Sequence, residues 1–339
     1  MKVVFRVDSS SVMGIGHLVR CLTLADELQR RNHEIIFICR ELNGSLIKSI
    51  KYEVLVLSGC DNLHLNWMRV TQEQDAKQTI EVIPEKIDYL IVDSYGLDAS
   101  WHQKLRPYTK KIMVIDDLAD KKFDCDVLLN QNLGSQKESY ENKVPRDCKL
   151  LLGCDYALLR PEFSDLREKS LEKRSATTMI SNVLVSMGGS DNKNITYKVL
   201  QQLSDKYNIT VVLGGSSPHV EMISCYAKDK GIRVIVDSSN MSKLMFDADL
   251  AIGTGGSTSW ERCCLGLPTL LYISADNQKK VARNLEKLKA IKIVKDLKQD
   301  LQKIQNKFEL WKNMSEKSQN ICNGLGVVKV RNSLEYLIN

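Results

Sequence analysis

Short apolar runs alternate with amphipathic segments along the first half of the chain. The runs have the length and composition of buried strands: Val3–Val7, Glu34–Cys39, Tyr52–Leu57, Tyr89–Val92, Lys111–Ile115 and Asp126–Leu129. Helical spacing of apolar residues appears between several of them, notably over Met68–Ile83 and Ala99–Leu105. Near-continuous apolar strands separated by helices are typical of parallel sheets covered on both faces, so this half predicts an α/β domain.

The pattern is interrupted around residues 161–182 and then starts again. A dense charge run over Asp165–Arg174 and the polar connector after it indicate a domain boundary. A second series of strands is predicted beyond it: Val183–Met187, Ile209–Leu213, Ile232–Val236, Leu250–Ile252, Thr269–Ile273 and Ile291–Val294.

These two series predict two Rossmann-like α/β domains that face a central cleft, where small-molecule sites tend to lie. The chain of 339 residues also suits two domains of about 150 residues each better than one core. We assign residues 1–160 to the N-terminal domain and residues 161–325 to the C-terminal domain. Residues 326–339 are predicted to form a helix that crosses back to the N-terminal domain.

Composition narrows the function classes. Hydrophobic residues make up 43% and charged residues 27% of the chain, as in an ordinary globular protein. The net charge of +6 is spread along the sequence, which suits an anionic small molecule and argues against nucleic acid. The ten cysteines form no CxxC pair, so we expect free thiols in a reducing cytoplasm and no zinc site. The first strand begins at once and no apolar run is long enough to span a membrane, so we expect a cytoplasmic protein without membrane insertion.

A loop with two glycines and a histidine joins the first strand to the first helix. The sequence Gly14-Ile15-Gly16-His17 follows the polar residues Asp8–Ser11. Glycine removes side chains where the backbone would approach a ligand, and a helix start offers unpaired N–H groups to anions. Because imidazole exchanges protons near neutral pH, His17 is a candidate base. The alternative is a turn that needs glycine only for its geometry.

A second glycine loop follows the predicted strand Leu250–Ile252. It combines consecutive glycines with hydroxyl residues: Gly255, Gly256, Ser257 and Thr258. The glycine amides can close around phosphate oxygens, while the hydroxyls can cap the next helix and add donors. Glu261 lies one helical turn further, where a carboxylate can accept both hydroxyls of a ribose. The alternative is a capped helix with Glu261 as a solvated side chain. The loop matches neither a Walker motif nor the full dinucleotide fingerprint, which argues against an ATPase and a dehydrogenase.

Further candidates lie in the predicted N-terminal domain. Asp8 ends the first strand, where it would bind sugar hydroxyl or amide groups or merely cap the turn. Arg20 lies one helical turn beyond His17 and could face the substrate, although an exposed salt bridge is the favoured interpretation. Tyr95 follows a strand at its carboxyl end, where ligands bind in such sheets, and the alternative is a loop aromatic packed on the domain. The pair Asp116-Asp117 is assigned to turn capping.

The C-terminal domain offers two more segments. Gly188 and Gly189 end a strand and would border the cleft, while Ser190 and Asp191 resemble a helix cap. Asn277 and Gln278 begin a helix, where they could contact phosphate or sugar or simply form its first turn. The remaining histidines lie in polar surroundings that predict exposure, and we assign them no role: His33, His64, His102 and His219.

Six short motifs, taken in order, resemble those of one enzyme family. The motifs are Phe5–Ser10, Gly14–Arg20, Val92–Gly96, Asp155–Arg160, Met187–Asp191 and Asn277-Gln278. They resemble the UDP-2,4-diacetamido-2,4,6-trideoxy-β-L-altropyranose hydrolases of pseudaminic acid biosynthesis, and the resemblance runs from residue 3 to about residue 278. The motifs are individually short, and their ordered combination is specific.

The resemblance implies a GT-B-like fold, related to the inverting glycosyltransferase that completes lipid II. It implies that UDP lies on the C-terminal domain at Gly255–Thr258, with the ribose at Glu261 and the sugar towards the N-terminal domain. Water would attack the anomeric carbon with His17 as the base and Tyr95 as a second active-site residue. The resemblance implies no metal and no cofactor. Ser94 stands where some relatives carry histidine, which puts any catalytic role of that position in doubt.

The implied function is hydrolysis of a UDP-sugar to UDP and free sugar. The departing UDP needs little acid assistance, so the reaction needs a positioned water, a base and stabilisation of the diphosphate. No Asp/His cluster at metal-ligand spacing appears in the sequence. The alternatives are an inverting UDP-sugar glycosyltransferase, a UDP-sugar 2-epimerase and a non-enzymatic nucleotide-sugar sensor. The exact sugar and the oligomeric state stay open, and a monomer is compatible with the sequence.

Overall fold

The computed structural model describes residues 1–10, 13–59, 69–276 and 278–338. These residues form two compact units. Unit 1 comprises Met1–Leu158 and Gly326–Asn339, and unit 2 comprises Leu159–Leu325. Some residues singled out in the sequence lie outside the described part of the chain: Ser11, Cys60, His64, Met68 and Asn277.

Unit 1 is built on a parallel sheet. Its strands are β1 (Lys2–Val7), β2 (Glu34–Arg40), β3 (Glu53–Leu57), β4 (Ile87–Asp93), β5 (Thr109–Ile115), β6 (Val127–Asn130) and β7 (Lys149–Leu152). Its first helices are α1 (Gly16–Gln29), α2 (Gln72–Val82) and α3 (Ala99–Leu105), and 3₁₀ turns cover Ile47–Ser49, Arg106–Tyr108, Lys137–Tyr140 and Cys154–Tyr156. The strand order is β3-β2-β1-β4-β5-β6-β7. The sequence pattern predicts every strand of this sheet except β7, a four-residue edge strand.

Both faces of this sheet are covered, as the apolar pattern predicts. Val3, Phe5 and Val7 of β1 pack in one cluster with buried residues of α1, whereas Val4 packs on the other face with residues of α2 and α3. This alternation follows from the two-residue period of a strand. The register pairs Val7 with Asp93, so the carboxyl ends of β1 and β4 lie side by side.

The second face of this sheet also carries a buried ion network. Arg6 donates to Asp75 of α2 at 2.6 Å, and Arg40 at the end of β2 donates to the same carboxylate at 2.6 Å. Trp101 of α3 adds an indole N–H bond of 3.0 Å to Asp75. Burial opposes the charge of Asp75, but Arg6 and Arg40 outweigh it and lower the pKa of that carboxyl. The network therefore fastens both helices to the central strands.

Unit 2 repeats this architecture. Its strands are β8 (Asn182–Ser186), β9 (Asn208–Leu213), β10 (Arg233–Val236), β11 (Leu250–Thr254), β12 (Thr269–Tyr272) and β13 (Lys292–Ile293). Its helices are α4 (Pro161–Ala176), α5 (Ile195–Leu200), α6 (Val220–Asp229), α7 (Met241–Asp247), α8 (Thr258–Cys264), α9 (Gln278–Lys287), α10 (Leu297–Asn306) and α11 (Phe308–Gln319). The strands pair in parallel in the order β10-β9-β8-β11-β12-β13, which confirms the predicted Rossmann-like class.

The charged segment after residue 160 is helix α4, and its arginines bind helix ends. Arg167 donates to the carbonyls of Gln319 at 2.8 Å and Cys322 at 3.0 Å. Arg174 is buried and donates to the carbonyl of Met245 at the end of α7 at 2.8 Å. Cationic side chains stabilise the carbonyl ends of helices, so this charge run is part of the packing of unit 2.

The last helix, α12 (Gly326–Ile338), packs on unit 1. Tyr89 of β4 donates to the Leu334 carbonyl at 3.1 Å, and Arg331 forms an ion pair of 3.0 Å with Glu27 of α1. A side chain at Gly326 would lie 2.3 Å from the backbone oxygen of Ala157, so only glycine fits there. No helix in the described ranges is both long enough and apolar enough to cross a bilayer.

The expectation that the remaining histidines are exposed is wrong for His102. Its ring is buried between Trp101 and Phe123, and neither ring nitrogen has a hydrogen-bond partner among the described residues. Burial lowers the pKa of His102 to about 4. His33 is also largely covered and pairs with Glu335 of α12 at 3.0 Å. The polar neighbours of these histidines in sequence face other directions in the fold.

The cysteines in the described part of the chain are free, as predicted. Most of them are buried, and burial raises the pKa of the Cys39 thiol to about 12. Such thiols behave as small apolar side chains in the core.

Candidate active site

Polar side chains collect where β1, β4 and β5 end and α1 begins. His17 lies in the first turn of α1, Asp93 is the last residue of β4, and Asp117 follows β5 by two residues. Parallel strands end at the same edge of a sheet, so three separate segments bring these groups together. Arg20 and Tyr95 complete the cluster, and both are among the residues predicted from the sequence.

Asp93 orients the imidazole of His17. The His17 Nδ1 atom lies 2.6 Å from Asp93 Oδ1. Arg20 Nη2 also lies 3.2 Å from Nδ1. A guanidinium is only a hydrogen-bond donor, so it could bond to Nδ1 only if that nitrogen carried no proton. The much shorter carboxylate contact decides the tautomer, since it needs a proton on Nδ1. The neutral ring then accepts at Nε2, and the His17 side chain keeps 15% of its surface exposed.

Arg20 links two carboxylates at the centre of this cluster. Its Nε and Nη2 atoms donate to the two oxygens of Asp93 at 2.6 and 2.7 Å. Its Nη1 atom donates to both oxygens of Asp117 at 3.1 and 2.9 Å. The expectation of an exposed salt bridge for Arg20 is wrong, because the side chain is buried. A helical turn that starts at the sheet edge directs Arg20 inward.

The electrostatics of this pair are strongly coupled. Burial disfavours the charged guanidinium, yet Asp117 and Asp93 raise the pKa of Arg20 well above its ordinary value. Burial likewise opposes the charged Asp93, but Arg20 and then His17 hold the pKa of that carboxyl well below its usual range. Both groups therefore stay charged, and a buried pair with full hydrogen bonding is rigid.

Tyr95 belongs to the same cluster. Its hydroxyl donates to Asp117 Oδ2 at 2.8 Å, and its ring meets the His17 ring edge-to-face at a centroid distance of 4.7 Å. Burial and then the Asp117 charge raise the pKa of Tyr95, which keeps the hydroxyl protonated. Ser94 accepts a bond of 3.2 Å from the Gly96 amide and so holds the turn that carries Tyr95.

Asp116 and Asp117 have different environments, although they are neighbours in sequence. Asp116 accepts from the Ala119 amide and from the Tyr140 hydroxyl, each at 2.7 Å, so the predicted turn capping is confirmed for this residue. It is wrong for Asp117, which binds Arg20 and Tyr95 and accepts from Asn132 Nδ2 at 2.8 Å. The two side chains bond to different partners, and of the two only Asp117 bonds to residues of the cluster around His17.

Asp8 connects two strands at the same sheet edge. Its Oδ1 atom accepts from Arg6 Nη1 at 2.6 Å and from the Arg40 amide at 2.7 Å. Its Oδ2 atom is buried and lacks a hydrogen-bond partner among the described residues. Within the described residues, the hydrogen bonds of Asp8 run to β2 and to Arg6. A buried carboxylate oxygen without a donor is costly unless a ligand supplies one.

The glycines of the first loop leave open space beside the cluster. Gly14 has a φ angle of +77°, which favours glycine, and its amide donates to the Ser10 carbonyl at 2.9 Å. A β-carbon at Gly14 or Gly16 would meet no atom of the described residues within 4 Å, its own chain neighbours and local helix backbone aside. The side chains that the structure describes therefore leave the backbone at these two glycines uncovered.

In unit 2, the second glycine loop joins β11 to α8. Gly256 has a φ angle of +134°, which only glycine adopts without strain. Gly255 lies against Gln278, since a β-carbon there would be 3.1 Å from Gln278 Cβ. Gln278 in turn accepts from the Ser274 amide at 3.0 Å, so the structure brings the β11 and β12 loops together. The predicted capping by Ser257 is wrong, because its side chain makes no cap bond to α8, which begins at Thr258.

Glu261 lies inside unit 2 rather than in solvent, so the solvated alternative is wrong. Its side chain is 12% exposed, and its nearest cation is Arg160, 4.0 Å away. The Oε2 atom is buried and has no hydrogen-bond partner within the described residues. Burial raises the pKa of Glu261, while Arg160 and Arg262 oppose this shift. A buried acceptor beside a glycine loop can receive ligand hydroxyls.

Arg262 shapes the start of the same loop. It donates to the Thr254 carbonyl at 2.7 Å, and burial lowers its pKa to about 10. A β-carbon at Gly253 would lie 2.6 Å from the Arg262 guanidinium, so the loop and the arginine are closely packed. Sequence reasoning missed both Arg160 and Arg262. Arg262 directly follows Glu261 in sequence, which was the available signal for it, whereas Arg160 stands at the end of the Asp155–Arg160 motif and is brought to Glu261 only by the fold.

A second pair of loops in unit 2 is packed just as closely. Gly188 follows β8 with a φ angle of +88° and lies near Thr254. A β-carbon at Gly214 would be 2.2 Å from the Gly189 oxygen, so these loops touch through their backbones. Asp191 accepts from the amides of Ile195 and Thr196 at 2.9 Å, which confirms its predicted role as a helix cap.

No group of three or more histidine, cysteine, aspartate or glutamate side chains within the described segments could hold a metal ion. The charged groups of the histidine cluster are instead bound to one another.

Solved structures define the class of this protein. Acinetobacter baumannii MurG superimposes with a TM-score of 0.68 at 15% identity, covering 99% of this chain and 100% of that chain. A UDP-GlcNAc 2-epimerase from Neisseria meningitidis, solved with UDP-GlcNAc bound, gives 0.65 at 12% identity and covers 99% of this chain and 100% of that one. The chain therefore has the GT-B-like fold that the sequence motifs imply.

Sequence comparison then identifies the family. Residues 182–324 match the glycosyltransferase family 28 C-terminal domain. The UDP-2,4-diacetamido-2,4,6-trideoxy-β-L-altropyranose hydrolase of Campylobacter jejuni is 31% identical over 290 residues, which cover 85% of this chain and 97% of that protein. The chain belongs to this hydrolase family.

Proposed function

We propose that this protein hydrolyses a UDP-linked diacetamido-trideoxy sugar to UDP and free sugar, a step of pseudaminic acid biosynthesis. The observation that carries the proposal is the contact of 2.6 Å between His17 Nδ1 and Asp93, which leaves Nε2 as the basic nitrogen. Membership of the hydrolase family supports the same chemistry.

The two units have different tasks in this proposal. Unit 2 holds UDP: the amides of Gly255 and Gly256 and the hydroxyls of Ser257 and Thr258 bind the diphosphate. The unsatisfied Oε2 of Glu261 supports a ribose contact at that residue. Gln278 packs against Gly255 and would line the same site. Gly188 and Gly189 would add backbone contacts from the β8 loop.

Unit 1 acts on the sugar. The open backbone at Gly14 and Gly16 lets the sugar approach His17 without a steric clash. The buried Oδ2 of Asp8 would accept from a sugar hydroxyl or acetamido N–H. Tyr95 packs against the His17 ring and would contact the reacting part of the sugar. Arg20 holds both carboxylates of the cluster, which makes its role positional.

The reaction needs one proton transfer and one bond cleavage. His17 Nε2 takes a proton from water while the water oxygen bonds to the anomeric carbon from the face opposite UDP. The bond between that carbon and the phosphate oxygen breaks, and UDP leaves with the electron pair. Loop amides stabilise the charge on the diphosphate, so we propose that no metal ion takes part. Inversion at the anomeric carbon follows.

Variants of two histidines in unit 1 test this proposal. The purified protein should release UDP from the UDP-diacetamido-trideoxy sugar in the presence of EDTA. His17→Asn should lower kcat by at least about 10²-fold, the scale of general-base catalysis, while UDP binding persists. His33→Asn is the matched control, because His33 pairs with Glu335 away from the cluster, and it should retain wild-type turnover.

Four outcomes would reject the proposal. A wild-type protein that releases no UDP, or an active His17→Asn variant, would contradict the hydrolase assignment. Transfer to an added acceptor sugar that exceeds hydrolysis would indicate a glycosyltransferase instead. A product that remains linked to UDP with inverted C2 would indicate an epimerase.

A further inference from the structure

Five side chains at the edge of the unit 1 sheet form a closed ring of contacts. In order around the ring they are His17, Asp93, Arg20, Asp117 and Tyr95, whose ring returns to His17. Asp93 and Tyr95 come from the end of β4, His17 and Arg20 from α1, and Asp117 from the end of β5. Asp93 therefore holds the imidazole of His17, and Asp117 holds the phenol group of Tyr95; these two aromatic side chains contact each other.

We infer that Asp117 is a positioning residue of the proposed hydrolysis: it holds the hydroxyl proton of Tyr95, so that Tyr95 does not donate this proton to the departing UDP. The inference rests on the proposed function for its reaction and on the ring of contacts for its geometry.

The hydrogen bonds of Asp117 carry the argument. This carboxylate accepts one bond from the Tyr95 hydroxyl at 2.8 Å and one from Asn132 Nδ2 at 2.8 Å. It accepts two more from Arg20 Nη1, one on each oxygen. A carboxylate that accepts four bonds is fixed in orientation, so the hydroxyl of Tyr95 has a fixed acceptor for its proton. The hydroxyl proton of Tyr95 is therefore committed to Asp117.

Arg20 extends the influence of Asp117 to the base. One guanidinium joins both carboxylates, so the position of Arg20 on Asp93 depends on its bonds to Asp117. Asp93 in turn sets the tautomer of His17. Loss of the Asp117 charge would weaken its bond to Tyr95 and, at the same time, the position of Arg20 on Asp93. A leaving group that needs little acid assistance is consistent with a tyrosine that donates no proton to it.

The charged and titratable groups around Tyr95 come from several elements. Asp117 and Arg20 face its hydroxyl side, His17 packs on its ring, and Lys121 donates to its backbone carbonyl. Asp93 stands behind His17 and Arg20. Among these, Asp117 makes the direct bond to the hydroxyl, so it is the residue to change.

Asp117→Asn and Asp116→Asn form a matched pair of variants. The two aspartates are neighbours at the end of β5, but Asp116 bonds to Ala119 and Tyr140 outside the ring. We expect Asp117→Asn to lower kcat by about 10–100-fold, the scale of losing a partner that orients an active group, with KM changed by less than about threefold. Asp116→Asn should keep kcat within about threefold of wild type, whatever its effect on thermal stability.

A double variant and a spectroscopic measurement separate positioning from a structural role. Tyr95→Phe combined with Asp117→Asn should lose little more activity than Asp117→Asn alone, because the two residues act in one unit. The ¹³Cζ signal of Tyr95 in protein labelled at tyrosine should show an un-ionised ring above pH of about 10, where an ordinary tyrosine is half ionised. In Asp117→Asn this titration should move to lower pH.

The NMR titration needs no substrate, and ordinary ionisation of Tyr95 in the wild-type protein would by itself contradict the Asp117–Tyr95 contact. Burial also raises the pKa of Tyr95, so the shift between wild type and Asp117→Asn is what supports the contact. The wild-type titration can still refute the inference if Asp117→Asn does not fold or if no UDP-sugar is hydrolysed, and the latter result would reject the proposed function separately. The inference is overturned if Tyr95 ionises near the ordinary pH in wild type. It is also overturned if Asp117→Asn keeps more than a third of kcat or if Asp116→Asn loses as much.

Discussion

Replacing Asp93 by asparagine removes the charge that orients the proposed base. Asp93 accepts from His17 at 2.6 Å and from two atoms of Arg20, and its side chain is fully buried. Asparagine has nearly the same shape, but its amide can present a donor to Nδ1 and so favour the wrong tautomer of the imidazole. The substitution therefore tests orientation and charge with little change in volume.

The expected loss follows from the strength of these bonds. A hydrogen bond to a charged group is worth about 1.5–3 kcal/mol, and each 1.4 kcal/mol is a factor of about ten in rate. Loss of the His17 contact alone should thus lower kcat by about 10–150-fold. Accumulation of the wrong tautomer would increase the loss towards about 10⁴-fold, the value for an orienting aspartate of a serine protease. KM should change much less, because UDP is held by unit 2 in this proposal.

Steady-state release of UDP from the UDP-sugar measures both constants. Asp88→Asn is the matched control, since Asp88 lies at the opposite end of β4 and pairs with Lys110 near the surface. Breaking a buried pair can cost about 3–5 kcal/mol of stability, so both variants must be assayed well below their melting temperatures. A folded Asp93→Asn protein with at least half of the wild-type kcat would refute the orienting role.

Other perturbations test further parts of the structure. His102→Phe should reduce acid sensitivity: the folded pKa of about 4 lies below the unfolded value of about 6.5, so stability is complete above pH 6.5 and is lost as pH falls towards 4. Between pH 7 and 5 the free energy of unfolding, measured with urea, should fall by about 2 kcal/mol more in the wild type than in His102→Phe. An equal pH dependence of the two unfolding free energies would contradict the assignment. Glu261→Ala should abolish the preference for UDP over 2′-deoxy-UDP in calorimetry, whereas a retained preference would exclude a ribose contact. Gly256→Ala should weaken UDP binding by about tenfold, since its φ of +134° is strained for alanine by at least about 1 kcal/mol; unchanged affinity would remove this loop from the site.

Much of the fold can be read from the sequence, because its signals are local. Buried parallel strands appear as apolar runs. The glycine loops after β1 and β11 indicate places where the backbone would approach a ligand closely. The strand β7 is missed although Leu150–Leu152 is apolar, because three apolar residues are too few to tell an edge strand from a loop. Parallel pairing with β6 makes this segment a strand, and that pairing cannot be read from the sequence of the segment alone.

The missed site residues depend on contacts between distant segments. Asp93 ends an apolar strand and looks like a strand terminus, but β4 pairs with β1 and so places it beside a histidine that is 76 positions away. Asp117 cannot be told from Asp116 without knowing which side of the strand end each faces. Arg20 and His102 show the same limit, since burial of a polar residue is decided by the elements packed over it. A carboxylate directly after the run Leu90–Val92 was the available hint for Asp93.

The central claim is cleavage between the anomeric carbon and its oxygen by an activated water. Turnover of the UDP-sugar in ¹⁸O-labelled water, with mass spectrometry of both products at early times, tests it directly. Free sugar kept in the same water corrects for exchange at the anomeric hydroxyl. We predict one ¹⁸O atom in the released sugar and none in UDP. Label in the terminal phosphate of UDP would mean attack at phosphorus and would contradict it.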